Sequence, residues 1–177
     1  MAAFDLDELS PDNLAYRLMV NSTVHLYWRR ELLEQATSWF AEHGYQLVRL
    51  KADEWRDESD MHSAFVAALD FPAYYGHNLN ALNDCLRDVA AFRYGATPGA
   101  VGLLFVFVGY DQFARRCPGA AQAVLDIIAS RARVAMLTGH RILALVQTDD
   151  PDLRFDPVGA ASVVWNDAEW LNASRRR

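Results

Sequence analysis

Three side chains in one short segment have the chemistry of a nucleophilic catalytic set: the imidazole of His77, the carboxylate of Asp84 and the thiol of Cys85. Such a set works only when the nucleophile, its base and the orienting group lie within hydrogen-bond reach of one another. On a helix of about 100° per residue, Cys85 falls on the flank of an apolar face while Asp84 points away from it. We therefore expect no catalysis here, and we expect the chain not to be an enzyme.

The histidines do not form a metal site by their spacing. They stand at positions 25, 43, 62, 77 and 140, without the HExxH pattern or another paired ligand spacing. The glycine-rich motifs that cradle dinucleotides or nucleoside triphosphates are also missing from the sequence. We expect neither a metal nor a cofactor.

The turn and helix around Asn78 carry the most information. Asn78 is suited to cap a helix that extends to about Val89, with an apolar face formed by Leu79, Leu82, Leu86 and Val89. Tyr74 and Tyr75 precede this cap, and tyrosines beside a helix start are frequent recognition anchors. We expect one of the two tyrosines to pack in the core and Gly76 to supply a positive φ.

The run from Phe71 to Leu86, FPAYYGHNLNALNDCL, resembles the signature of the barstar family of intracellular ribonuclease inhibitors. The residues in register are Pro72, Tyr74-Tyr75-Gly76, Asn78-Leu79, Ala81-Leu82 and Asp84-Cys85-Leu86. The resemblance covers about residues 45–147. It implies a small α/β inhibitor whose second helix and preceding loop occupy the active site of a nuclease in place of RNA phosphates.

Carried over residue by residue, the resemblance implies a partner-binding surface. Asp84 matches the family's main acidic contact, and Tyr74 matches its aromatic contact. The resemblance therefore implies that Tyr74 is exposed and that Tyr75 is the tyrosine packed in the core. The full set of expected partner-binding residues is Tyr74, Gly76, Asn78, Leu79, Asn80, Asn83 and Asp84.

Three residues depart from the family pattern on this surface. Asn80 replaces a second helix acid, Asn83 replaces an interfacial tryptophan, and Arg87 adds a positive charge one turn beyond Asp84. These departures fit either a different target nuclease or a family member whose inhibitory face has drifted. The alternative function is a scaffold or adaptor of the same fold that does not inhibit a nuclease.

The remaining chain alternates short apolar runs with segments of helical period, which is typical of an α/β domain. We predict a small, mostly parallel sheet of three to four strands with helices packed on it. Predicted strands are Thr23–Trp28, Tyr45–Leu50, Leu103–Val108, Ile142–Gln147 and Ala161–Trp165. Predicted helices start at Ser10, near Leu32, at Ser59, at Asn78, at Ala120 and after Asp167. Residues 45–147 form the barstar-like domain, residues 1–44 an N-terminal extension packed on it, and residues 148–177 a C-terminal extension.

Composition limits the partners. The chain of 177 residues has 23 acids against 17 bases, which argues against direct nucleic-acid binding. No apolar run reaches the length of a membrane span, and the two cysteines do not suggest a disulfide scaffold. We expect a cytoplasmic protein that binds a basic ribonuclease or nuclease toxin, as a monomer, with a homodimer through the extensions as the alternative.

Overall fold

The computed structural model describes residues 3–175, in which helices alternate with strands. The helices are α1 (Leu14–Asn21), α2 (Arg30–Glu42), α3 (Glu58–Leu69), α4 (Leu79–Ala90), α5 (Tyr110–Arg116), α6 (Pro118–Leu137) and α7 (Asn172–Arg175). The strands are β1 (Val24–Tyr27), β2 (Tyr45–Lys51), β3 (Gly102–Val108), β4 (Arg141–Gln147) and β5 (Val164–Trp165). Short 3-10 turns occupy Leu6–Glu8, Ala52–Glu54 and Asp167–Glu169. The predicted α/β class is confirmed.

The strands form one sheet in the order β2-β3-β4-β1-β5, and each neighbouring pair is parallel. Parallel neighbours require crossover connections, and the helices supply them: α3 and α4 connect β2 to β3, and α5 and α6 connect β3 to β4. Strands β2 and β3 pair from Tyr45 opposite Gly102 to Lys51 opposite Val108. The parallel sheet is confirmed, and it contains five strands because β1 and β5 both join it.

The sheet is buried on both faces. In β3, Leu103, Phe105 and Phe107 belong to the core that also contains buried residues of α3, α4, α5 and α6. Leu104 and Val106, which alternate with them, belong to a second core with residues of α1 and α2. The continuous apolar run in β3 thus reflects burial from two sides, as predicted.

Residues outside 45–147 provide the second helical layer and two of the strands. Strand β1 pairs with β4, and β5 pairs with β1. The two terminal segments are joined by Glu169, whose fully buried carboxylate accepts backbone N–H groups of Trp28 at 2.8 Å and Arg29 at 2.9 Å. No helix within residues 3–175 is long and apolar enough to cross a bilayer.

Several helices begin at other residues than predicted. Helix α6 begins at Pro118, two residues before Ala120, and α7 begins at Asn172, after a 3-10 turn that Asn166 caps in place of Asp167. Helix α1 begins after Asn13, whose side chain accepts the N–H of Tyr16 at 3.1 Å, and not at Ser10. Helix α3 begins after Asp57, and Ser59 lies within its first turn. At the start of α1 and of α3, a neighbouring Asx side chain caps the helix.

Candidate functional site

The loop between α3 and α4 positions the two tyrosines on opposite sides. Helix α3 ends at Leu69 and is followed by Asp70, which has a left-handed backbone with φ of 51°. The N–H of Tyr75 then donates to the carbonyl of Pro72 at 2.9 Å and closes a turn. Tyr74 is 81% exposed whereas Tyr75 is 6% exposed. The prediction that Tyr74 is the outward member of the pair is confirmed.

Tyr75 is held inward by a buried histidine. Its hydroxyl shares a hydrogen bond with Nδ1 of His62 on α3, and its ring packs edge-on against Phe71 at 4.9 Å. The other ring nitrogen of His62 is buried without a hydrogen-bond partner. Burial lowers the pKa of His62, and the neighbouring His77 lowers it further, while Glu58 opposes this shift. A neutral His62 therefore supports the loop from inside.

The backbone strain of the loop lies at His77 and not at Gly76, so the predicted positive φ at Gly76 is wrong. His77 has φ of 48°, which lies in the left-handed region that residues other than glycine rarely adopt. A Cβ at Gly76 would lie 3.1 Å from the side-chain nitrogen of Asn78, a tight contact that would require the Asn78 side chain to shift by a few tenths of an ångström. That nitrogen donates to the Gly76 carbonyl at 3.1 Å.

Asn78 caps α4 as predicted. Its Oδ1 accepts the N–H of Ala81 at 2.9 Å, which satisfies one of the free N–H groups at the helix start. Asn78 thus makes a hydrogen bond to the loop and another to the helix, and it fixes the angle between them.

Helix α4 has one buried and one open face. Leu82, Cys85, Leu86 and Val89 are buried against the core. Asn80 is exposed, Leu79 and Asn83 are half-buried, and the side chain of Asp84 is 63% exposed. We call the set Tyr74, Gly76, Asn78, Leu79, Asn80, Asn83 and Asp84 the Tyr74–Asp84 surface. The terminal extensions do not cover this surface, since Tyr74 and Asp84 are both exposed in the structure that includes them.

Asp84 lies in a short row of alternating charges. Its Oδ1 is 3.2 Å from Nη1 of Arg87, whose Nε is 3.8 Å from Oδ1 of Asp88. Asp88 also accepts from Nη1 of Arg93 at 2.9 Å. These two acids and two bases sum to zero formal charge. The charge of Asp84 is therefore balanced by its neighbours on and after α4, and the rest of the Tyr74–Asp84 surface is uncharged and rich in amide groups.

Tyr94 borders this surface, although neither a motif nor the periodicity of the sequence around it indicates such a role. Its hydroxyl donates to the carbonyl of Cys85 at 3.2 Å, and its ring contacts Phe71 edge-on. Burial raises the pKa of Tyr94, and its hydrogen bond with Cys85 and the negative charge of Asp88 add to this shift. Tyr94 thus supports the open face of α4 from the loop that follows it.

The residues considered for catalysis are separated. Cys85 is a free, buried thiol while Asp84 faces solvent. Within residues 3–175, no three His, Cys, Asp or Glu side chains are grouped in a way that could hold a metal ion. The arrangement offers an exposed aromatic ring, amide groups and a carboxylate on a rigid helix, which are the parts of a protein-binding surface.

Comparison with known proteins assigns the family. The family model described as barstar (barnase inhibitor) matches residues 45–147, which include the whole Tyr74–Asp84 surface. No curated protein matches the chain. Since the match covers more than half of the 177 residues, the chain belongs to the barstar family.

Proposed function

We propose that this protein is a non-catalytic inhibitor of a ribonuclease or nuclease toxin, and that it binds the active site of that enzyme through the Tyr74–Asp84 surface. The observation that carries the proposal is the open position of Tyr74 and Asp84 on a barstar-family fold. Protection of the producing cell would require the inhibitor in its cytoplasm.

The proposed mechanism is occlusion combined with charge complementarity. A ribonuclease cleft must hold a polyanion, so it is lined with cationic groups. A carboxylate such as Asp84 on a well-packed helix competes with an RNA phosphate for those groups without losing conformational freedom on binding. The ring of Tyr74 would add apolar contact area at the entrance of the cleft.

Binding of a catalytically inactive ribonuclease from the same organism, measured by calorimetry, tests this proposal. We expect a one-to-one complex, and Asp84→Asn should weaken it by at least about 2 kcal/mol if Asp84 is a hot spot. Glu31→Gln is the matched control because Glu31 is an exposed acid on α2, on the other face of the sheet. An affinity that Asp84→Asn and Glu31→Gln change equally would contradict the proposed interface.

A second candidate function is an adaptor that keeps the fold but binds a protein other than a nuclease. The ion pair between Asp84 and Arg87 favours it, because a paired carboxylate is a weaker substitute for phosphate. However, exposed pairs of this kind contribute only about 0–1 kcal/mol, so breaking the pair between Asp84 and Arg87 itself costs the complex little. We therefore place inhibition first.

The proposed organisation is one barstar-like domain, residues 45–147, enlarged by the two extensions. We propose that it acts as a monomer. The alternative is a homodimer through the extensions, where Trp170 is 62% and Leu171 is 67% exposed. Light scattering on the purified protein distinguishes the two states.

A further inference from the structure

Arg87 must enter any interface that covers Asp84. The two residues are three apart on α4, a spacing that places side chains next to each other on a helix surface. Their side chains are comparably exposed, 57% for Arg87 and 63% for Asp84. A partner that excludes water from the Asp84 carboxylate therefore also excludes water from the Arg87 guanidinium.

Apart from Asp84, Arg87 contacts only a carboxylate that another arginine already binds. Asp88 lies 3.8 Å from its Nε, but Asp88 is the closer partner of Arg93 at 2.9 Å and is only 25% exposed. Asn80 and Asn83 contribute amides and no charge. When Asp84 turns to a cation of the partner, Arg87 and Arg93 share the single carboxylate of Asp88, so this row carries one excess positive charge.

A guanidinium without a carboxylate of its own lowers the affinity of a complex when the interface covers it. Loss of its hydration is repaid only by a well-placed acceptor, and a buried charge deprived of its counter-ion destabilises a complex strongly. A guanidinium has its best acceptor in a carboxylate, which receives two of its N–H groups at once. The nuclease must then supply an acid opposite Arg87 as well as a base opposite Asp84.

We infer that Arg87 is a specificity-determining contact of the inhibitory surface, and that it selects a nuclease whose cleft presents a carboxylate beside its basic groups. This inference rests on the proposed function. Asp84, Arg87 and Asp88 present charges of alternating sign. A nuclease cleft that carries only basic groups would fit such a row poorly.

The test uses the inactive ribonuclease that forms the complex described above. Its dissociation constant is measured with the wild-type protein, Arg87→Gln, Arg87→Lys and Arg49→Gln. Arg49→Gln is the matched control, because Arg49 is a half-exposed arginine in an ion pair with Glu34, on edge strand β2 and outside the Tyr74–Asp84 surface. Thermal unfolding of each variant verifies that it is folded.

We expect Arg87→Gln to weaken the complex by about tenfold or more, Arg87→Lys to weaken it less, and Arg49→Gln to leave it within about twofold. A tighter complex with Arg87→Gln, or one weakened by clearly less than tenfold, overturns the inference and leaves the proposed function intact. A wild-type protein that binds no ribonuclease of the organism overturns both. The two failures are therefore distinguished by the wild-type measurement alone.

Discussion

The imidazole of His62 and the hydroxyl of Tyr75 share a hydrogen bond in the interior, one residue along the chain from the exposed ring of Tyr74. This contact joins α3 to the loop before α4. Because Tyr75 is fixed inward, its neighbour Tyr74 is presented to solvent. Tyr75 thus stabilises the loop, whereas Tyr74 is free to contact a partner.

Substitutions of these tyrosines should separate stability from binding. Tyr75→Phe removes the hydroxyl and leaves Nδ1 of His62 without its partner, so we expect a loss of about 1–3 kcal/mol in the free energy of unfolding. Tyr74→Ala should change that free energy by no more than about 0.5 kcal/mol, since Tyr74 is exposed, but should weaken the nuclease complex. Urea denaturation and calorimetry measure the two effects. Equal stabilities of the two variants would contradict this assignment.

The protein should lose stability in mild acid. Burial lowers the pKa of His62 and of His25 below the ordinary value of 6.5. Both imidazoles therefore bind a proton more readily in the unfolded chain, and protonation favours unfolding. The free energy of unfolding should be unaffected by them well above pH 6.5 and should fall as the pH drops through that value toward the folded-state pKa.

Denaturation curves recorded between about pH 5 and pH 8 test this expectation. His62→Gln and His25→Gln should each reduce the slope of stability against pH, and the double variant should reduce it most. His25 lies in β1, where its Nε2 donates to the carbonyl of Ser22 at 2.9 Å, so the two substitutions probe separate parts of the fold. A double variant that keeps the wild-type slope would show that other groups cause it.

The buried carboxylate of Glu169 should be essential for attaching the C-terminal segment. Glu169→Ala leaves the N–H groups of Trp28 and Arg29 without an acceptor, and we expect it to cost about 2–4 kcal/mol in the free energy of unfolding. Asp167→Ala removes a nearby exposed acid that pairs with Arg17 at 3.3 Å, and should cost less than about 1 kcal/mol. Thermal and urea unfolding compare the two variants, and similar losses would count against the role of Glu169.

Removal of residues 1–44 should expose one face of the sheet. Leu104, Val106, Leu143 and Leu145 pack against the layer formed by α1 and α2. We expect the fragment 45–177 to aggregate or to unfold without a cooperative transition, because these side chains would face water and β4 would become an open edge. A monomeric fragment that unfolds as cooperatively as the full chain would show that residues 45–177 do not need the extension.

The sequence predicted best where a local signal decides the structure. The core strands are apolar at nearly every position because both faces of the sheet are covered. Asn78 caps α4 because its side-chain oxygen can accept a free N–H group at the start of the amphipathic helix. The inward and outward orientations of Tyr75 and Tyr74 followed from the family resemblance rather than from spacing.

Other features depend on contacts between distant residues, and the sequence did not indicate them. Helix α5 is short and begins after Gly109, which has φ of 63° and provides no side-chain cap. The carboxylate of Glu169 can be buried because it accepts the N–H groups of Trp28 and Arg29, which are more than a hundred residues away in the sequence. A terminal run of three arginines, Arg175–Arg177, predicts a frayed tail, and for Arg175 this prediction is wrong. Arg175 is buried, donates to the carbonyls of Glu169 and Trp170, and stacks on Trp165, while Arg176 and Arg177 lie outside the described residues.

A titration of RNA cleavage tests the central claim most directly. The active ribonuclease that binds this protein is mixed with increasing amounts of it, and hydrolysis of an RNA substrate is followed. We predict that cleavage falls linearly and ends at one equivalent of wild-type protein, and that Asp84→Asn requires a large excess for the same effect. A one-to-one complex that still cleaves RNA at the full rate would contradict occlusion of the active site and would identify the protein as an adaptor.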